Sequence, residues 1–588
     1  MSSAPARMRP KDAPRIQDGT PAIAGVLFFC FPLSKWMFVM ENTMLGRFPK
    51  FRILLVGLLA AGLVACGSDG SDGSDGAAGS AGADGSNGLS CWDTNQNGVA
   101  DLPDEDINGD GVVDVNDCVV LVPPLSDPET LHKVYFTDNT YEGTTSCLDC
   151  HGKVGDDFIT TGHFTWSGVA SNVEGYEAEI HGKVDFINNF CIAVPTNEGR
   201  CSQCHAGYGL ADATYDFSNP KNVDCLVCHD QSGTYKKGLT TAGLPDPTVD
   251  LQVVAQSVAD NSGSPVRQNC LACHAAAGGG DNVKHGDLST DLVATTRDYD
   301  VHMGTDGANL DCVACHGVKR GPDGEMLSHG IGGMPFHSVE EGAMKQCADC
   351  HGDRASIHAG TAAQDLVANH QRLACQVCHV PAIARKLPTK MEWYWEDAGQ
   401  DIDPIPVDPI TGKPTYDKKK GTFVWGLNVR PELRFHNGMT QKIMMNVNDQ
   451  YVSTPVVMSA PVADYTDLDA MIYPFKKMIG NQVADANNNT MLVPHLFGMK
   501  GGPNPYWAKY DWDLALQDGA AYTGQTYSGA YEFVPTEMYL QVNHEVAPKE
   551  MALGFGGGSG CSDCHDAGQV DWNALGWTDN PFNGGVQP

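Results

Sequence analysis

The sequence predicts a mainly α, loop-rich chain whose core is a stack of covalently bound haems, preceded by a small calcium-loop module. Three observations predict it: eight copies of Cys-x-x-Cys-His, 66 glycines and 34 prolines in 588 residues, and two matching acidic loops between Cys91 and Cys118.

From the N-terminus, residues 1–65 read as a leader. Ile53 to Ala65 is apolar, follows the basic Arg47, Lys50 and Arg52, and ends in Leu63, Val64, Ala65, Cys66 and Gly67. That run is short for a bilayer span and has the build of a secretory signal, and its end resembles a bacterial lipobox in which Cys66 is lipidated. The apolar stretch from Ile23 to Met40 ahead of it is most simply explained by a start at Met40 or Met44. Export to the periplasm or cell surface follows, with a lipid anchor in the outer membrane. Residues 66–90 carry glycine at every third position without proline, which reads as a flexible spacer rather than a collagen helix.

The acidic module at 91–118 repeats one pattern. Asp93, Asn95, Asn97, Asp101 and Asp104 form the first loop, with Gly98 at the sixth position; Asp106, Asn108, Asp110, Asp114 and Asp117 form the second around Gly111. Oxygen donors at positions 1, 3, 5, 9 and 12 are those of a calcium loop, with Asp in place of the usual final Glu. Cys91 and Cys118 bracket the module and are expected to pair in an oxidising compartment.

The haem-bearing body spans 125–588. Its motifs are Cys147, Cys150 and His151; Cys201, Cys204 and His205; Cys225, Cys228 and His229; Cys270, Cys273 and His274; Cys312, Cys315 and His316; Cys347, Cys350 and His351; Cys375, Cys378 and His379; and Cys561, Cys564 and His565. In each, two thiols form thioethers to a porphyrin and the histidine reaches the iron. Chance would give far less than one copy, and zinc would need further ligands at short spacing that do not recur. Seven motifs crowd between Cys147 and His379, too densely for a conventional apolar core, so the macrocycles are expected to be the core. The motif-free stretch from 380 to 560 reads as packing around that stack and shaping a cavity; its Lys418, Lys419 and Lys420 read as a solvated turn.

The net charge of −34 excludes nucleic acid and anionic lipid surfaces as partners, while an anionic substrate would need a local basic pocket. Eight motif histidines leave twelve others of the twenty. As second axial ligands, His163, His181, His302, His337, His358, His370 and His544 are favoured, all but His181 for lying near a motif. Twelve suffice both for an electron carrier with every iron six-coordinate and for an enzyme that leaves one iron open.

The body resembles the octaheme tetrathionate reductase type of multihaem cytochrome c, related more distantly to multihaem nitrite reductases and hydroxylamine oxidoreductases. The resemblance lies in the seven-plus-one motifs, in Asn188, Asn189, Phe190 and Cys191 before the second motif, and in Gly278 to Leu288, with Lys284, after the fourth. It implies that Lys284 ligates the iron of the second haem, with Asn188 and Cys191 lining its pocket beside His205. Physically, a lysine binds iron only as a desolvated neutral amine, and a pocket thiol suits sulfur chemistry.

The reading is an octahaem reductase of a small sulfur or nitrogen oxyanion (tetrathionate, nitrite or hydroxylamine), with eight haem c and calcium as cofactors. Its electron donors are redox proteins or quinol-linked cytochromes. The alternative is a non-catalytic conduit passing electrons to a partner or an extracellular acceptor. The sequence leaves the oligomeric state open.

Overall fold

A computed structural model describes residues 101–102, 112–113, 128–322, 326–333, 343–498, 500–554 and 560–587. The leader, the spacer with Cys66, and all but Asp101 of the predicted calcium ligands lie outside these residues, as does His337. Among the described residues no helix is long and apolar enough to cross a membrane.

Short helices carry most of the motifs: Thr145–Phe158, Leu226–His229, Arg267–His274, Cys347–His351, Cys375–His379 and Ser562–His565. One helical turn places positions i, i+3 and i+4 on one face, which is the spacing of the two cysteines and the histidine. Helices this short are marginal by themselves and depend on what they pack against. Two small sheets accompany them. β1 (Ser167–Val169) pairs with β2 (Ile180–Gly182), and β3 (His316–Arg320) lies between β4 (Met326–Ile331) and β5 (Ala343–Met344).

The motif-free stretch differs from the expectation of a mainly α chain: it folds into a nine-stranded sheet. Its strands are β6 (Thr389–Tyr394), β7 (Tyr416–Asp417), β8 (Gly421–Gly426), β9 (Glu432–His436), β10 (Thr440–Lys442), β11 (Val456–Pro461), β12 (Met471–Asp485), β13 (Thr490–Met491) and β14 (Tyr531–Gln541). The main path runs β10-β11-β14-β12-β6-β8-β7, with β9 and β13 also on β12. β12 and β14 form an antiparallel ladder from Phe475 opposite Gln541 to Asp485 opposite Tyr531, whereas β6 joins β12 in parallel. Gly480 allows that approach, since a Cβ there would lie 2.4 Å from the Trp393 carbonyl oxygen.

A conventional apolar core therefore exists alongside the motif-rich region. Trp393 and Trp395 are fully buried and stack with ring centres 5.2 Å apart, and Tyr506 stacks on Trp512 at 3.9 Å. β12 is a central strand covered on both faces, with Phe475, Met478, Val483 and Ala484 all buried, so its sequence reads as a continuous run rather than an alternation. The Trp395 indole N–H donates to the Phe190 carbonyl at 3.0 Å, tying this core to the segment that holds Asn188 and Cys191. Lys390 of β6 is 5% exposed, and its Nζ sits 3.2 Å from the centre of the Phe423 ring and 4.0 Å from that of Trp393. Burial, reinforced by the nearby Lys420, pulls its pKa down to about 7.

Two outcomes are expected. Trp395→Ala should cost roughly 3–5 kcal/mol of stability, as deletion of a buried aromatic does, and thermal unfolding of the haem-loaded protein measures it. For Lys390 the folded pKa lies below the ordinary 10.5, so the unfolded chain binds the extra proton between those values and stability falls as pH drops through that window. Lys390→Met should accordingly stabilise the protein at pH 7, by roughly 1–4 kcal/mol, with the gain fading towards pH ~10 in melts taken across that range.

Candidate functional site

The site is built from facing imidazoles. His151 lies opposite His132 with ring centres 6.0 Å apart, His229 opposite His329 at 6.1 Å, and His274 opposite His163 at 6.2 Å. His316 faces His544 at 6.1 Å and His351 faces His302 at 6.0 Å. His379 faces His358, and His565 faces His370, each at 6.3 Å. Rings in ordinary aromatic contact also stand about 4.5–7 Å apart, so what marks these pairs is that each joins one motif histidine to one histidine outside the motifs. Two imidazoles bound to opposite sides of one metal, each through a bond of ~2 Å, stand about 6 Å apart, so the seven pairs fit an iron between them.

A continuous cavity of ≈ 1920 Å³ runs past the cysteines of the second, fourth, fifth, sixth and seventh motifs. It is well above the ~300–1,000 Å³ of an ordinary small-molecule pocket and fits several macrocycles side by side.

The thiols, which stand for the thioether sulfurs of the haem-loaded protein, give the order. Cys147 is the neighbour of Cys225, Cys204 of Cys273, Cys270 of Cys312 and Cys347 of Cys375. Cys315 lies within electrostatic reach of Cys350, Cys378 of Cys564, and Cys228 of both Cys270 and Cys273. By motif number this is a line 1-3-4-5-6-7-8, with the second motif branching from the fourth.

The second motif departs from the other seven. His205 stands at φ −82° and ψ 133°, and its Nε2 donates to the Phe164 carbonyl oxygen at 2.5 Å. Phe164, Trp166, Tyr215 and Phe217 surround the ring, and burial pushes its pKa down to about 4. Lys237, paired with the buried Asp224 at 3.0 Å, binds the carbonyl oxygens of His205 and Gly207. Gly207 leaves room for the ring, because a Cβ there would lie 2.7 Å from the imidazole. The His205 ring, expected beside this site, is thus enclosed in an aromatic cluster, with Nδ1 buried and no second imidazole opposite it among the described residues.

Lys284, Cys191 and Asn188 all line this cavity, with the Lys284 Cβ 3.2 Å from where a Cβ on Gly278 would be and Cys191 Sγ 4.0 Å from that of Gly279. Asn188 spends its amide locally, donating Nδ2–H to the Ile192 carbonyl at 2.9 Å and accepting the Phe190 N–H at 3.0 Å, so it shapes the turn that presents Cys191. Lys284 is half-buried; desolvation, then the neighbouring Lys183, lowers its pKa to about 8. Lys476, 1% exposed on β12, binds the carbonyl oxygens of Val283 and Lys284 at 2.8 Å and the Thr389 hydroxyl at 2.5 Å, which fixes the Lys284 backbone from below. Burial pushes the Cys191 thiol up, against the pull of Lys420, Lys390 and Arg200. Lys420 Nζ and Cys191 Sγ both come within 4.0 Å of where a Cβ on Gly279 would be, so Lys420 belongs to the cavity wall and not to a solvated turn. Lys183, Arg200, Lys420 and Lys442 make this end basic in a chain of net charge −34.

Of the favoured second ligands, His163, His302, His358, His370 and His544 each face a motif histidine. His181 does not: its Nδ1 pairs with Asp185 at 2.6 Å and its Nε2 with Glu179 at 3.2 Å, which occupies both nitrogens. Sequence reasoning missed His132 and His329. His132 lies on the helix Pro128–Asp138 just before the first motif, and His329 lies on β4 just after the fifth. A rule of proximity to a motif admits both, and nothing in their immediate sequence ranks them above their competitors. Among the described residues no cluster of His, Cys, Asp and Glu has the arrangement of a further metal site.

Residues 141–230 match the family described as cytochrome c554 and c-prime, and residues 390–568 match that described as bacterial cytochrome c. An uncharacterised protein of Archaeoglobus fulgidus is 27% identical over 221 residues, 30% of this chain and 73% of its own length. The crystal structure of octaheme cytochrome c from Shewanella oneidensis superposes with a TM-score of 0.65 and 38% identity, over 77% of this chain and 98% of that one. With that coverage and identity, the chain belongs to the octahaem cytochromes c of the tetrathionate reductase type and is a multihaem redox protein carrying haem c.

Proposed function

We propose that this protein is a reductase of a small sulfur or nitrogen oxyanion, acting at the second haem and supplied with electrons by seven haems held between paired histidines. The observation that carries the reading is the contrast between the seven imidazole pairs at 6.0–6.3 Å and the second motif, whose histidine is enclosed elsewhere while a half-buried lysine faces the cavity. When bound, the haems supply one-electron relays and, at the second motif, a Lewis-acidic iron.

The residues of the chain account for the rest. Lys284, with a pKa near 8, gives up its proton readily and offers a neutral amine. Lys183, Arg200 and Lys420 draw an anion into a molecule that otherwise repels one. Cys191, kept protonated by burial, can donate a proton to a departing sulfur or oxygen, or exchange with a sulfur substrate once the flanking cations favour its thiolate. Phe190, Leu496 and Trp507 line the same cavity and limit water. The branch at the fourth motif makes the second haem a terminus where electrons are delivered, an arrangement suited to a reductase. Tetrathionate, nitrite and hydroxylamine all fit these groups. Lipid anchoring at Cys66, display outside the cytoplasm, and calcium binding at 91–118 complete the proposal.

The test begins with electron paramagnetic resonance of the oxidised protein, loaded with eight haems by intact mass. His132→Ala and His329→Ala should each convert one low-spin haem to high spin, whereas His181→Ala should leave the spectrum unchanged. Lys284→Ala should alter the signal of a different haem and slow reoxidation of the reduced protein by tetrathionate or nitrite by ~10-fold or more. A spectrum and a reoxidation rate both indifferent to Lys284→Ala would leave the electron conduit as the function.

A further inference from the structure

A ligand imidazole donates to its metal through one nitrogen, and the group that accepts the proton of the other nitrogen sets how strongly. Five of the facing imidazoles give that proton to a neutral oxygen. His229 Nδ1 donates to the Gly263 carbonyl at 2.8 Å, His316 to Gly332 at 2.8 Å, His358 to Arg354 at 2.7 Å and His370 to Leu366 at 2.8 Å. His565 donates to the side-chain oxygen of Asn580 at 3.0 Å.

His544 differs. Its Nδ1 lies 3.3 Å from Oδ2 of Asp287, a carboxylate that is 1% exposed. The same oxygen accepts the backbone N–H groups of Asn543 and His544, each at 2.9 Å. All three of these partners are donors, which is the environment of a carboxylate anion, and burial leaves its field weakly screened.

We infer that Asp287 is a positioning residue that lowers the reduction potential of the fifth haem, held by Cys312 and Cys315, and so divides the haem line into two electron reservoirs. A carboxylate on the far side of an imidazole draws its proton away and makes the ring a stronger donor, which favours the ferric state of the iron it binds. The fifth haem is the link between the halves of the line: Cys312 touches Cys270 of the fourth motif and Cys315 reaches Cys350 of the sixth. Haems 6 to 8 lie on one side, and haems 1 to 4, with the branch to the second, on the other. An electron crossing in either direction climbs onto the fifth haem and then descends. Charge accumulated beside the second haem therefore drains back slowly.

The inference rests on the pairing of His544 with His316 across one iron, and the experiment separates the two. His544→Ala in the eight-haem protein should produce one high-spin haem and remove one midpoint from a spectroscopic redox titration. If no high-spin signal appears, the pairing fails and the inference with it. If it appears, the midpoint that vanishes should be among the lowest in the unmodified protein, and Asp287→Asn should move that same midpoint upward while the others stay within error. A vanished midpoint that is not among the lowest, or one that Asp287→Asn leaves in place, overturns the tuning role and leaves the ligand pairing intact. Should Asp287→Asn not assemble eight haems, the position of the vanished midpoint in the unmodified protein decides alone.

Discussion

A pair of imidazoles with ring centres about 6 Å apart, one of them from a Cys-x-x-Cys-His motif, is spaced to bind a single metal from opposite sides. Seven repeats of it mean that the chain is folded around a set of planar, metal-bearing groups, with the protein supplying pairs of donors on either side. The helices are short because each needs only the one turn that carries its motif. The loops are long because they must travel around a macrocycle before returning with a second histidine. The glycine and proline content follows from those reversals.

Set against this, the nine-stranded sheet does what the motif-rich region cannot. Its tryptophan-rich core is fully buried, and three lysines are buried on its strands: Lys390 on β6, Lys442 on β10 and Lys476 on β12. On the sheet these groups stay in the interior at the cost of their desolvation, whereas Lys183, Lys284 and Lys420 reach the cavity from turns and bends. The lowered pKa of Lys390 and of Lys284 reflects that cost. A surface that is acidic overall and an interior end that is basic are thus produced by different parts of the same chain.

The attachment residues were legible because their spacing is chemistry. The pocket of Lys284, Cys191 and Asn188 came from resemblance, and the structure brings the three together. The second ligands were harder. His163 was favoured for its closeness to the first motif, yet it faces His274 of the fourth; His370 lies just ahead of the seventh and faces His565 of the eighth. Proximity in sequence selected histidines that face a motif histidine without selecting which one, because the pairing is a property of how segments stack and not of their order. His181 carried its own warning, with Glu179 and Asp185 positioned to occupy both ring nitrogens. The sheet escaped notice because β12 is covered on both faces and shows no alternation.

The span of these pairings bears on how the protein is made. His316 waits for His544, so the haem held by Cys312 and Cys315, in the middle of the line, acquires its second ligand only when a late stretch of the chain has arrived, whereas His565 meets a partner, His370, that is already made. Until then that iron would lack its second ligand and be open to oxygen or peroxide. The order of the chain thus imposes a vulnerable interval on maturation. Its length is set by the residues between Cys312 and His544, and a cell that makes this protein has reason to make it where oxygen is scarce.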